Sequence, residues 1–178
     1  MRIAIVHDWL DTWGGAEVAL AEILALYPEA DLYTLVDFMD PATRARLSPR
    51  PSHTSFIARL PMARRHFRRY LPLFPRAIES LDLSAYDVLL SSSHAVAKGA
   101  RTLPRQLHVC YCHTPMRYAW DLRQQYLERT GLDRGPKGAL LRPILDYLQR
   151  WDRAASTRRS PFSACGPTAR VKSFPPPS

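Results

Sequence analysis

The chain has 178 residues, 46% of them hydrophobic, which suffices for one domain with a real core and excludes wholesale disorder. It has no apolar run of about eighteen residues to cross a membrane, and its N-terminal apolar run, Ile3 to Val6, is too short for a signal peptide. Three cysteines make a disulfide framework improbable and fit a reducing cytoplasm, and the formal charge of +9 is concentrated in a few segments.

Ile3 to Val6 is short, apolar and partly β-branched, which predicts a buried strand. His7 and Asp8 follow it, and after Trp13 come Gly14 and Gly15. A helix is expected from Gly15 to Tyr27, because Ala16, Leu20, Ile23, Leu24 and Tyr27 recur on one face and Pro28 follows. A strand that feeds a helix through glycines is how many α/β proteins build anion sites, since the helix N-terminus presents unpaired N–H groups and partial positive charge. Gly14 and Gly15 are therefore candidates for binding a phosphate-bearing ligand. Neither a dinucleotide fingerprint nor a Walker loop is present, so a tight ligand-free turn is the competing interpretation. Glu17 falls in the first helical turn, where a negative charge suits the dipole whether its role is structural or catalytic.

Asp31–Val36 and His53–Ile57 are expected as the second and third strands. Residues 59–76 then carry Arg59, Arg64, Arg65, Arg68, Arg69 and Arg76 with no acid, interleaved with Phe67, Tyr70, Leu71, Leu73 and Phe74. That composition suits anionic lipid contact through Arg64, Arg65, Arg68 and Arg69. The plainer interpretation is a solvated basic face whose apolar side lies in the core. Nucleic acid ranks last, because no recognisable binding motif accompanies the arginines.

Tyr86–Leu90 is expected as a strand running into Ser91, Ser92, Ser93 and His94, with Ser93 capping a helical segment that starts near Ala95. A serine-hydrolase elbow is not matched there. Leu107–Cys112 predicts another strand, ending at His113. Cys110 and Cys112 alternate with Tyr111, so both thiols should point to one face as small core residues rather than bind zinc. His113 ends its strand where a crevice should open and suits hydrogen bonding to substrate hydroxyls or a developing charge, with a satisfied structural histidine as the alternative. Arg117–Glu128 and Leu140–Arg153 are expected as helices, with Pro143 in the first turn of the second. Within the former, Arg117 suits phosphate or carboxylate, Tyr118 and Trp120 offer flat faces to sugars or lipid headgroups, and Asp121 adds a carboxylate, with a helix whose aromatics pack in the core as the alternative.

Strands alternating with helices argue an α/β, Rossmann-like parallel sheet with helices on both faces, and such sheets bind ligands beyond the carboxyl ends of their strands. Residues 1–156 are read as this domain. Residues 157–178 hold five prolines and no acid, and are expected to be an irregular Pro/Arg-rich tail.

His7-Asp8-Trp9-Leu10, Gly14-Gly15-Ala16-Glu17 and Cys112-His113-Thr114-Pro115-Met116-Arg117-Tyr118-Ala119-Trp120-Asp121 resemble the N-terminal domain of family 4 retaining glycosyltransferases. The nearest group is the bacterial mannosyltransferase-like enzymes of O-antigen and exopolysaccharide assembly. The resemblance implies one half of a GT-B architecture, sugar transfer with retention from a nucleotide-sugar, and no cofactor or essential metal. It implies that this half receives a lipid-linked or polysaccharide acceptor, that the glycine loop lies near the donor phosphates, and that His113 contacts the donor sugar. His7, Glu17, Arg117, Tyr118 and Asp121 become substrate-binding candidates, and the arginines suit peripheral docking on the inner face of the plasma membrane. The family has a second, donor-binding domain. Residues 158–163 depart from the family's pattern, so the expectation is an out-of-frame or truncated continuation, inactive alone, whose C-terminal domain is missing or a separate chain. The alternative is a non-catalytic Rossmann-like binding module that pairs with another subunit or docks on anionic membrane.

Overall fold

The computed structural model describes residues 1–47, 50–113 and 136–157. Strand β1 (Ile3–His7) is almost wholly apolar and lies at the centre of a five-stranded sheet, with Ala4, Ile5, Val6 and His7 fully buried. Its neighbours are β2 (Asp31–Thr34) on one side and β4 (Val88–Ser93) on the other. Strand β3 (Ser52–Thr54) lies beyond β2, and β5 (Leu107–Cys112) beyond β4. All four pairings are parallel and the order is β3-β2-β1-β4-β5. The chain thus steps outward from β1 to β3, recrosses to β4, and continues outward on the opposite side. The reversal falls between β1 and β4, where doubly wound sheets open their ligand crevice.

Helix α1 (Gly15–Leu26) covers one face, packing Leu20 and Leu24 against Ile5 and Leu32. The other face, carrying Ala4, Val6 and Leu89, is covered by Phe67, by α4 (Phe74–Glu79) and by α5 (Pro136–Thr157). The expected α/β arrangement with both faces covered is therefore observed. Helices α2 (Pro41–Arg44) and α3 (Ala63–His66) are single turns. Helix α5 begins earlier than its periodicity suggested, so Pro143 lies in its interior rather than its first turn.

A small residue under α5 sets its docking. A Cβ at Gly99 would fall inside the Trp151 ring, so glycine is required there for packing. The Trp151 indole donates to Glu79 at 2.8 Å, and Lys98 meets Asp152 at 2.6 Å with both side chains buried. No described helix is long and apolar enough to cross a membrane.

In the basic segment the apolar side lies in the core and the arginines face solvent. Phe67 and Phe74 are buried and stack with each other, while Arg64, Arg65, Arg68 and Arg69 are exposed. The apolar side of this segment builds core, leaving Met62 and Leu73 as its exposed large apolar side chains.

Strand β4 runs further than expected, to Ser93, through three serines of low strand propensity. Their burial inside the sheet overrides that propensity. Conversely, β2 stops at Thr34, and pairing with the β1 side resumes only at the isolated Leu10–Asp37 bridge. Cys110 and Cys112 are buried on one face of β5 and Tyr111 is half exposed, as the alternation predicted.

Candidate functional site

The parallel register sets His7 of β1 against Ser92 of β4, and Ser92 against Tyr111 of β5. The carboxyl ends of these three strands therefore meet where the sheet order reverses. Five of the candidate residues lie here: His7 at the end of β1, Gly14, Gly15 and Glu17 at the start of α1, and His113 one residue past β5. Arg117, Tyr118 and Asp121 lie outside the described residues.

The floor of the site is polar and buried. His7 Nδ1 lies 3.1 Å from both the carbonyl oxygen and the hydroxyl of Ser92. His7 Nε2 lies 3.5 Å from Glu17 Oε1. The Ser92 hydroxyl is also 2.9 Å from His113 Nε2. A continuous row of contacts thus runs from Glu17 through His7 and Ser92 to His113. His7 and Ser92 are fully buried, whereas His113 is partly exposed and forms the rim.

Glu17 has a second role. Its Oε2 accepts the Gly14 N–H at 2.9 Å, so it caps the helix from the N3 position. Burial works to raise its pKa, but the His7 contact and the backbone donors outweigh it, and the carboxyl is held below its ordinary value. Gly14 has extended backbone, φ −145°, and a Cβ there would meet only the Glu17 carboxylate at 3.1 Å. A Cβ at Gly15 would meet nothing within 4 Å. What the pair provides is an open, exposed approach to the start of α1.

The loop after β4 is held from β1. The Asp8 carboxylate is fully buried and accepts the backbone N–H groups of His94 (2.6 Å), Ala95 (2.9 Å), Val96 (2.6 Å) and Ala97 (2.6 Å). This corrects the expectation that Ser93 caps this segment. Ser93 is the last residue of β4, its hydroxyl is buried without a partner among the described residues, and a carboxylate from a neighbouring strand takes the N–H groups instead. Burial alone would raise the Asp8 pKa, yet His94, His7 and the backbone donors hold it below its ordinary value. His94 Nδ1 lies 3.1 Å from Asp8 Oδ2, close enough for charge attraction although not aligned as a hydrogen bond.

Three imidazoles converge around this loop. The rings of His7 and His94 are 5.8 Å apart and those of His94 and His113 are 6.5 Å apart. Trp9 packs edge-on against His94 at 4.5 Å and against Phe67 and Phe74 behind it. Burial lowers the His113 pKa, as does the proximity of His7 and His94, against the opposing pull of Asp8 and Glu17. The balance leaves the His113 pKa below its ordinary value, which favours the neutral ring near neutral pH. His108, near the start of β5, is pushed down to about 4 by burial and lies 2.7 Å from the Ser91 hydroxyl, a structural histidine outside the cluster. Among the described residues, no group of three His, Cys, Asp or Glu side chains is arranged to hold a metal ion.

The basic segment adjoins this edge. Arg68 pairs with Asp11 at 2.6 Å and its guanidinium lies over the Phe67 ring. Arg64, Arg65 and Arg69 point to solvent with no acidic partner among the described residues.

Sequence reasoning singled out His7, the glycines and His113, but missed the linking role of Ser92 and the capping role of Asp8. An aspartate directly after a buried strand was the available signal for Asp8. Nothing local marks Ser92 apart from its neighbours. No family model matches this chain, and no curated protein or solved structure matches it at a significant level.

Proposed function

We propose that this chain is the acceptor-side domain of a retaining glycosyltransferase of GT-B type, moving a sugar such as mannose from a nucleotide-sugar to a lipid-linked or polysaccharide acceptor. The observation that carries this reading is the meeting of His7, Ser92, His94 and His113 with the open Gly14–Gly15 approach at the reversal of the sheet. Imidazole rings beside a buried polar floor suit the hydroxyls of a sugar. The exposed N-terminus of α1 suits the phosphates of a nucleotide or lipid diphosphate. In the proposed reaction the anomeric carbon–oxygen bond of the donor breaks, the acceptor oxygen bonds to the same face, and the acceptor proton leaves on the diphosphate. A second Rossmann-like domain would supply the facing wall and most of the charge stabilisation. The arginines 64, 65 and 69 would hold the domain at the cytoplasmic membrane face, where a lipid-linked acceptor lies. These same unpaired arginines favour a second reading, a non-catalytic Rossmann-like module that docks on anionic membrane.

The test is titration of the isotope-labelled chain with GDP-mannose and, separately, with a short-chain prenyl-diphosphate sugar, followed by NMR. We expect shifts at Gly14, Gly15, His94 and His113 with at least one probe. In His113→Ala, binding should weaken about tenfold, the equivalent of one lost hydrogen bond of about 1.4 kcal/mol. No shift at these residues with either probe would overturn the reading.

A further inference from the structure

The row from Glu17 to His113 has directional content, because some of its members can only accept. We infer that the Ser92 hydroxyl donates to His113 Nε2, so that His113 carries its proton on Nδ1 and presents that N–H, rather than a basic lone pair, to whatever occupies the cleft. Ser92 and His7 are then positioning residues, acting through His113.

The Ser92 carbonyl lies 3.1 Å from His7 Nδ1 and can only accept, so His7 Nδ1 brings its N–H. That nitrogen then has no lone pair for the Ser92 hydroxyl, which lies equally close at 3.1 Å. The hydroxyl has one proton, and its remaining neighbour is His113 Nε2 at 2.9 Å. If His113 Nε2 donated instead, the hydroxyl would accept from both rings and its own proton would be stranded inside a fully buried residue, a costly arrangement. The groups facing His113 are His7 at the end of β1, His94 in the loop after β4, Glu17 on α1, Asp8, and Tyr111, whose ring is 4.8 Å away. Burial and the two other imidazoles lower its pKa below the ordinary imidazole value, and the neutral ring this favours has a single proton to place on one of its two nitrogens. Glu17, reaching His7 Nε2 at 3.5 Å while capping Gly14, ties the start of α1 to the same row.

The consequence is chemical selectivity. A ring offering Nδ1–H recognises an acceptor atom, such as a sugar hydroxyl oxygen or a phosphate oxygen, and does not remove a proton from the ligand at that position. The inference concerns the site proposed above but is readable in the ligand-free chain, so its failure and the failure of the glycosyltransferase reading are distinguishable.

The test is long-range proton–nitrogen NMR of the histidine-labelled full chain at neutral pH, which reports the tautomer of each ring. We expect His113 in the Nδ1–H form. Ser92→Ala should release it to the Nε2–H form that free imidazole side chains favour, and Ser92→Thr, which keeps the hydroxyl, should restore Nδ1–H. An Nε2–H tautomer in the wild-type chain would overturn the inference, as would an unchanged tautomer in Ser92→Ala. Should Ser92→Ala fail to fold, the wild-type spectrum alone decides.

Discussion

Replacing Asp8 by asparagine should destabilise this protein strongly, because the carboxylate holds the loop after β4. The carboxylate takes four backbone N–H groups, two on each oxygen, at 2.6 to 2.9 Å and in complete burial. An asparagine keeps the shape and one oxygen, so two N–H groups keep their acceptor. The other two face an NH2 group that can only donate. Two stranded buried donors cost about 1–3 kcal/mol each, so the loss should be about 2–6 kcal/mol. That is a large share of the roughly 5–15 kcal/mol that holds a domain together. At about 2–4 °C per kcal/mol, Tm should drop by roughly 4–24 °C.

The pH dependence carries a second signature of the same residue. The folded-state pKa of Asp8 is depressed below its reference of 3.8, so its contribution is complete above that value and is lost as pH falls through the folded pKa. The carboxylate's own share of the wild-type advantage over Asp8→Asn should therefore narrow as pH falls below about 4. Glu17, Asp40 and Asp82 are also depressed but are common to both proteins and leave the difference unchanged. Urea unfolding followed by circular dichroism at several pH values measures both effects. A variant within about 0.5 kcal/mol of wild type, or a gap that does not narrow in acid, would refute the claim that Asp8 holds this loop as a carboxylate.

Two further outcomes are expected. Gly99→Ala should destabilise by about 1–3 kcal/mol, because the new Cβ enters the Trp151 ring, and hydrogen exchange should speed up in the C-terminal half of α5. Unchanged stability would mean that the Trp151 ring is not seated over Gly99. The triple change of Arg64, Arg65 and Arg69 to glutamate should weaken liposome flotation on anionic vesicles by at least about a hundredfold, at about 1 kcal/mol per removed cation, while leaving stability unchanged. Arg68 is best left in place, since it pairs with Asp11, and equal flotation of the triple variant would remove this segment from membrane binding.

Much of this architecture is legible in local pattern. The apolar run Ile3–Val6 before His7, the stripe of Leu20 and Leu24 after Gly15, and the alternation through Cys110, Tyr111 and Cys112 each encode an element with a defined face. They do so because strand and helix periodicities are set by neighbouring residues. Alternating strands and helices then imply a parallel sheet, and with it the idea that His7 and His113 stand at a ligand-facing edge. What local pattern does not hold is which strand ends are neighbours. His7 and Ser92 are 85 residues apart, and their contact exists because β4 returns beside β1, a choice made by packing both faces of the sheet at once. The same return lets Asp8 cap a loop that Ser93 was expected to cap, and lets β4 carry three serines that propensity alone would place in a turn. Buried polar groups find partners across the fold rather than along the chain, so the row from Glu17 to His113 was decided by tertiary structure alone.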